Sequence, residues 1–272
     1  MYYRDTIIAG RTKLIALRAV TRTYIKGEKR KPRMNPTPEA VARTNFRNAV
    51  KMLTAKLNHN FVPGDYHLTL TYEKVKAPAD AKKCLDNFIR KVRSACKKEG
   101  VVLKWVAVTE YKQHRIHHHL VISGIDVDTL DRCWKYGRIN VAPLDPSGNY
   151  HRLAEYLLKE TEETFRQEGS PSKRRYSCSR SIVTPEIRRE KISSRQVWEE
   201  IKPPKGYYVD EDTVRMYEHA ILGVECKEYI LISLDGSAKG KRGKPIRPEK
   251  VYQTDKQLSM EEMAFYRGRF YG

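Results

Sequence analysis

Segments in which apolar and polar residues alternate are interleaved along the chain with segments in which apolar residues recur every three or four positions. The first pattern is typical of β-strands and the second of amphipathic helices. The predicted strands cover residues 66–73, 101–111, 115–124 and 138–144, and the predicted helices cover residues 42–57, 79–99, 127–136 and 150–162. From residue 66 onwards, the order is therefore β-α-β-β-α-β, followed by one more helix.

This order is that of the split βαβ, or ferredoxin-like, arrangement. The fold class that we predict is α+β, with an antiparallel sheet that carries its helices on one face and leaves the other face free for a ligand. We divide the chain into a basic N-terminal arm and helix (1–60), this core (61–165), a basic linker (166–200) and a C-terminal appendage (201–272).

The two ends of the chain differ in character from the core. Residues 26–36 are basic and contain proline, and the sequence Thr37-Pro38-Glu39 that follows is a typical helix start. Near the other end, we predict a short strand over residues 229–234 and a helical tail from Ser259.

Charge gives the first indication of a partner. The chain has 53 basic and 33 acidic residues, a net charge of +20 at neutral pH. A domain this basic is typical of nucleic-acid-binding proteins, whose affinity falls steeply as salt rises. A merely soluble or ribosome-like basic surface is the alternative.

Cysteine usage and hydropathy indicate the compartment. The five cysteines are odd in number and form no C-x-x-C pair, which disfavours a disulfide scaffold or a zinc finger and favours a reducing cytosol. No apolar run approaches the ~20 residues that a membrane span needs, and the first 20 residues lack the apolar block of a signal peptide. We therefore expect a cytoplasmic protein without a membrane partner.

Four of the eight histidines lie between residues 114 and 119. Because side chains alternate along a strand, His117 and His119 point to one face and His118 points to the other. Glu110 precedes the hairpin turn, and a loop over residues 111–114 pairs it with Arg115, which places its carboxylate on the face of His117 and His119. A one-residue change in register would remove it.

Two histidines and a carboxylate are a potential metal site. Non-haem iron oxygenases use such a set, but a basic chain favours a hard divalent ion that also binds phosphate, such as Mg²⁺ or Mn²⁺. Two half-buried polar histidines without a metal are the alternative. The continuation of the opposite, core-seeking side by Leu120 and Ile122 favours His117 and His119 as the pair.

A tyrosine and a lysine on the last predicted helix add a candidate nucleophile. Tyr156 and Lys159 are three residues apart and therefore share a face. A phenol needs help from a metal or a cation to attack as the phenolate, and Lys159 is placed to supply it or to neutralise phosphate charge. Such a pair is also common on amphipathic helices without any catalytic role.

The order and spacing of these residues resemble those of the HUH endonucleases, specifically the rolling-circle replication initiators of bacterial mobile elements and small phages. The sequence LTLTY (68–72) resembles their first motif, HHHL (117–120) resembles their His-hydrophobic-His motif, and YLLK (156–159) resembles their Tyr-x-x-Lys motif. The resemblance covers about residues 66–160. His118 departs from it, because the middle position is usually hydrophobic.

The resemblance implies a bacterial, cytoplasmic enzyme that nicks and rejoins single-stranded DNA at a replication origin. A metal ion on His117, His119 and Glu110 would polarise the scissile phosphate, and Tyr156 would attack it to leave a 5′-phosphotyrosine and a free 3′-OH. No G-x-x-x-x-G-K-[ST] sequence occurs, so unwinding and extension are expected to fall to a host helicase and DNA polymerase.

A loop rich in serine and arginine follows the core at residues 170–181. Its basic residues are Lys173, Arg174, Arg175 and Arg180, which are candidates for contacts with the nucleic-acid backbone. Two other functions stay open. One is a nonenzymatic, RRM-like nucleic-acid-binding domain, which has the same βαββαβ order, and the other is a transposase or relaxase of the HUH type.

Overall fold

The computed structural model describes residues 1–20, 38–112, 115–165, 174–219 and 222–234 of the chain. Its strands are β1 (Tyr2–Ala9), β2 (Thr12–Ala19), β3 (Tyr66–Leu70), β4 (Trp105–Lys112), β5 (Arg115–Ile122), β6 (Ile139–Pro143), β7 (Ser177–Cys178), β8 (Ile187–Ile192), β9 (Tyr207–Glu218) and β10 (Glu225–Ser233). The α-helices are α1 (Pro38–Asn60), α2 (Pro78–Lys98), α3 (Val127–Cys133) and α4 (His151–Phe165), and a 3₁₀ turn covers Ser194–Val197. The predicted α+β class is confirmed. None of the described helices has the length and apolarity needed to cross a membrane.

The chain divides into two compact units, one of residues 1–41 with 186–272 and one of residues 42–185. The first unit contains an antiparallel sheet in the order β8-β1-β2-β10-β9. Residues 2–19, which we expected in an N-terminal arm, form a β-hairpin that pairs with β8 and β10 from the other end of the chain. The boundaries predicted at residues 60, 165 and 200 therefore do not coincide with those of the units.

A buried carboxylate joins three strands of this first sheet. Asp5 of β1 accepts hydrogen bonds from Arg18 of β2 and from Arg189 of β8. Burial alone would raise the pKa of Asp5, but the two guanidinium groups outweigh it and lower the pKa. The basic segment 26–36 and the helical tail predicted from Ser259 lie outside the described residues.

The second unit contains the other antiparallel sheet, in the order β6-β3-β5-β4-β7. Helix α2 connects β3 with β4, and α3 connects β5 with β6. The order of the first four strands is that expected of a split βαβ arrangement, in which the first and third strands, here β3 and β5, are central. Strand β7 adds two residues at the outer edge of β4.

Helices pack against both faces of this sheet, so the prediction of one free face is wrong. Strands β4 and β5 carry apolar residues on both sides, and a second apolar face must also be covered. Helices α2 and α3 pack on one face, around Phe88, Leu120 and Leu130. The other face is covered by α1 and α4 through a cluster that includes Val50, Leu53, Leu57, Val106, Val108, Val121, Leu153, Leu157 and Leu158. We call the first the α2/α3 face and the second the α1/α4 face.

The α1/α4 face changes character towards the other edge of the sheet. The described residues of the apolar cluster come from β4 and β5 among the central strands. On β3 and β6, the same face carries His67, Thr69 and Asn140, which are half-buried or exposed. A polar strip therefore lies beside the apolar cluster, and the candidate site is found where the two meet.

Candidate active site

The β4–β5 hairpin places the carboxylate and the two histidines on one face. Glu110 pairs with His117, and Val108 pairs with His119. The predicted register, with Glu110 opposite Arg115, is therefore wrong by two residues. A shift of two keeps each side chain on its face, whereas a shift of one reverses it, so the expectation that Glu110 shares the face of both histidines is met.

Glu110 approaches both imidazoles. Its Oε2 atom lies 3.4 Å from Nε2 of His119 and 3.9 Å from Nδ1 of His117. Glu110 and His119 are buried, while the side chain of His117 is 35% exposed. Thr69 lies opposite His119 on β3, with its hydroxyl 3.4 Å from Nδ1 of that ring. The pair at the centre of the site is thus fixed from both neighbouring strands, and His117 borders the solvent.

These distances bear on whether a metal ion fits. Two ligand atoms about 2.1 Å from one ion are about 3.0 Å apart at octahedral corners and about 3.4 Å apart at tetrahedral corners. The contact between Glu110 and His119 meets this range, and the contact between Glu110 and His117 is longer. Among the described residues, no group of three or more His, Cys, Asp or Glu side chains is arranged to hold a metal ion as it stands. The donor types suit Mn²⁺ or Mg²⁺, and a turn of the His117 ring would complete the set.

Helix α4 brings Tyr156 to this face. Its apolar side packs in the core through Leu153, Leu157 and Leu158, which fixes the rotation of the helix about its axis. The ring of Tyr156 lies edge-on to that of His119, with 5.5 Å between the ring centres. Lys159 is exposed one turn further along α4. The structure therefore brings the predicted nucleophile beside a predicted metal ligand.

The start of α4 is fixed by α1. The backbone N–H of Tyr150 donates to Oδ1 of Asn58, and Nδ2 of Asn58 donates to Asn149. One turn earlier on α1, the Thr54 hydroxyl lies 3.3 Å from Nδ1 of His151. Because these contacts run backwards along α1 as they run forwards into α4, the two helices are antiparallel. The position of Tyr156 over the sheet thus depends on polar contacts about a turn and a half away.

His118 lies on the α2/α3 face and is completely buried. The hydroxyl of Thr109 lies 2.9 Å from its Nδ1, and the hydroxyl of Tyr72, which donates to the carbonyl of Ala81, lies 2.8 Å from its Nε2. A neutral ring with its proton on Nε2 satisfies both contacts. Burial, followed by the neighbouring imidazoles of His119 and His117, lowers the pKa of His118 to about 4.

His67 is a site residue that sequence reasoning missed. It lies on β3, one position before the LTLTY sequence. Its ring stacks on that of His119 with 5.6 Å between centres and lies edge-on to that of Tyr156 at 6.4 Å. The available signal was the alternation of β3, which places His67 on the polar side, opposite Leu68 and Leu70. Only the pairing of β3 with β5 reveals which histidine it meets.

The predicted basic loop is described in part. Lys173 lies outside the described residues, while Arg174 and Arg180 are exposed. The guanidinium group of Arg175 lies over the ring of Phe46 on α1, 5.6 Å from its centre. Nearby, Nζ of Lys56 donates to the hydroxyl of Tyr176 at 3.2 Å. The loop therefore packs against α1 and forms a basic surface with it.

Comparison with known proteins gives one match. Residues 65–161 match the model of a family described as Replication-associated protein, of the ORF2 type. The matched segment begins just before β3 and ends within α4, so it includes Glu110, His117, His119 and Tyr156. No curated protein and no solved structure matches the chain significantly. The similarity of this core to replication-associated proteins suggests a role in the initiation of DNA replication, with DNA as the partner.

Proposed function

We propose that the protein nicks single-stranded DNA in a metal-dependent reaction with Tyr156 as the nucleophile, and that this nick initiates rolling-circle replication. The observation that carries the proposal is the 5.5 Å ring contact between Tyr156 and His119, on the face that also carries Glu110. The nucleophile and the candidate metal ligands lie on one side of the sheet, so a single phosphodiester group is able to meet both.

Glu110, His117 and His119 are the residues that would hold a divalent ion. When bound, Mg²⁺ or Mn²⁺ would polarise the scissile phosphate and offset its charge. Burial of the Glu110 carboxylate and the His119 imidazole keeps water away from two of the three donors, which strengthens their electrostatic contribution. The partly exposed His117 lies on the side from which a substrate and an ion enter.

In the reaction, the hydroxyl oxygen of Tyr156 attacks the phosphorus atom in line and loses its proton. The bond between phosphorus and the 3′ oxygen breaks, and that oxygen takes up a proton. The products are a 5′-phosphotyrosine ester and a free 3′-OH, from which a DNA polymerase can extend. The ester keeps the energy of the cleaved bond, so the reverse reaction rejoins strands without ATP.

Lys159 acts on the solvent side of the same helix. It lies one turn after Tyr156 and is exposed, so its ammonium group reaches a phosphate that has approached the tyrosine from outside. There it offsets the negative charge that develops on the phosphate oxygens.

The net charge of +20 supplies the attraction for DNA. Arg174, Arg175 and Arg180, together with Lys173, are the proposed contacts with the DNA backbone, and the described part of their loop packs on α1. Host helicase and polymerase supply the unwinding and synthesis that the chain lacks motifs for. The cysteines are free thiols, which suits the reducing cytoplasm of a bacterial host.

The test is the formation of a covalent adduct. The protein is incubated with Mn²⁺ and end-labelled single-stranded oligonucleotides from its own replicon, and a denaturing gel is examined for a labelled protein band. We expect an adduct that is abolished in Tyr156→Phe while DNA binding survives. Tyr136→Phe, a half-buried tyrosine near Trp134 on the α2/α3 face, is the matched control and should form the adduct normally.

The RRM-like alternative predicts DNA binding and no adduct. Such domains bind bases across the open face of the two central strands, whereas α4 places Tyr156 over His119 on that face here. This coverage favours the nuclease. Transposases and relaxases of the HUH type share the chemistry, and the similarity of residues 65–161 to replication-associated proteins favours an initiator.

A further inference from the structure

Three rings from three different elements meet on the α1/α4 face. His67 comes from β3, His119 from β5 and Tyr156 from α4. Each ring contacts the other two, with centre-to-centre distances of 5.5 Å, 5.6 Å and 6.4 Å. These distances lie within the range in which aromatic pairs attract one another.

The position of His67 follows from the pairing of its strand. It lies opposite Val121 on β5 and Ala142 on β6, and it is diagonal to His119. Glu110 is diagonal to His119 on the other side, through β4. His119 is therefore flanked by the carboxylate on one side and by His67 on the other, and Tyr156 lies on the side of His67.

A tyrosine ring swings about two rotatable bonds, and the hydroxyl moves furthest because it is at the end of the side chain. Here the ring meets His119 at 84° and His67 at 77°, from two neighbouring strands. Two edge contacts from different directions restrict the swing more than one contact does. In-line attack on phosphorus depends on this direction, and a displacement of about 1 Å costs about 100-fold in rate.

We propose that His67 is a positioning residue that holds the Tyr156 ring in the orientation for attack and supports the His119 ring from the side opposite Glu110. This role rests on the proposed nicking function and adds to it a residue outside the three motifs. His67 acts through the packing of its ring, so another flat ring of similar size replaces it, whereas a small side chain does not.

The test compares His67→Ala and His67→Phe with the unmodified protein, and uses His59→Ala as the matched control. His59 is an exposed histidine at the end of α1. Cleavage of the oligonucleotide is measured as kcat and KM, Mn²⁺ binding by calorimetry, and folding by thermal unfolding. We expect His67→Ala to lower kcat by about 10- to 100-fold with little change in KM or Mn²⁺ affinity. His67→Phe should restore most of kcat, and His59→Ala should behave as the unmodified protein.

Several results would overturn this role. Equal losses in His67→Phe and His67→Ala would mean that the imidazole nitrogen atoms matter. A fall in Mn²⁺ affinity to that of His119→Ala would make His67 a ligand. Normal cleavage by His67→Ala would remove the role of His67 alone, whereas no cleavage by the unmodified protein would remove the proposed function as well.

Discussion

Adjacent histidines on one strand have opposite environments on the two faces of the sheet. His118 lies on the α2/α3 face, has no exposed surface, and makes hydrogen bonds with Tyr72 and Thr109. His119 lies on the α1/α4 face, where it meets the carboxylate of Glu110 and the ring of Tyr156. One face uses a histidine to satisfy a core, and the other places a histidine among reactive groups.

The difference shows that residue type alone does not identify a functional histidine. Each of His118 and His119 is buried, so burial does not separate them either. Their partners separate them, because neutral hydroxyl groups complete the first ring and a carboxylate contacts the second. The following predictions test whether chemistry is confined to the α1/α4 face.

The largest effect is expected from exchanging the two histidines for glutamine in turn. His119→Gln should lower the rate of adduct formation by about 1000-fold, because it removes a buried donor beside the nucleophile. His118→Gln should retain cleavage within a few-fold, since its side chain lies on the other face. The measurement is single-turnover cleavage at saturating Mn²⁺ below the unfolding temperature of either variant. Similar losses in both variants would contradict the division between faces.

The next effect concerns Glu110. Glu110→Gln keeps the size of the side chain and removes its charge, so Mn²⁺ affinity should fall by about 100-fold. Calorimetric titration with Mn²⁺ measures this directly, and Glu99→Gln, at the exposed end of α2, is the control. Unchanged affinity in Glu110→Gln would remove the carboxylate from the metal site.

A smaller effect is expected in the pH dependence of stability. The pKa of His118 is about 4 in the folded protein and 6.5 ordinarily. As pH falls below about 6.5, the unfolded chain binds a proton at this ring that the folded protein does not bind until about pH 4. Stability is therefore present above pH 6.5 and is lost towards pH 4.

Urea unfolding at pH 7 and pH 5 tests this sign. Between these values, the unmodified protein should lose about 2 kcal/mol more stability than His118→Gln, which has no titrating ring. The corresponding variant of the exposed His59 should match the unmodified protein. A smaller loss in the unmodified protein than in His118→Gln would reverse the proposed environment of the ring.

The smallest effect is expected at the basic loop, away from either histidine. The double variant Arg174→Gln, Arg180→Gln should reduce the slope of log affinity against log salt by about 1.4, which is about 0.7 for each lost phosphate contact on a single strand. A salt titration of oligonucleotide binding measures the slope, and exchange of the exposed Arg90 and Arg93 on α2 is the control. An unchanged slope would remove the loop from the DNA-binding surface.

The sequence was sufficient for the facing of the histidines because alternation along a strand does not depend on register. It was insufficient for the pairing itself, because the length of the turn between Glu110 and His117 decides that. The α+β class followed from local periodicity. Pairing of the N-terminal hairpin with β8 and β10 did not, because it joins distant segments whose short apolar runs carry no partner signal.

Coverage of the second face was also missed, although a sequence signal existed. Val106 and Val108 alternate with Ala107 in a continuous apolar run, which is the pattern of a strand buried on both sides. His67 is different, because its significance depends on three elements meeting. No local pattern predicts the contact of a β3 side chain with a ring on α4.

The most direct test of the account is the identity of the residue that becomes linked to DNA. After the adduct forms, the DNA is digested with a nuclease and the protein with trypsin, which cuts after Arg152 and Lys159. The resulting peptide, residues 153–159, contains Tyr156 as its single tyrosine. Mass spectrometry should find the remaining nucleotide phosphate on this peptide. A nucleotide on any other peptide, with residues 153–159 recovered unmodified, would contradict the assignment of Tyr156 as the nucleophile.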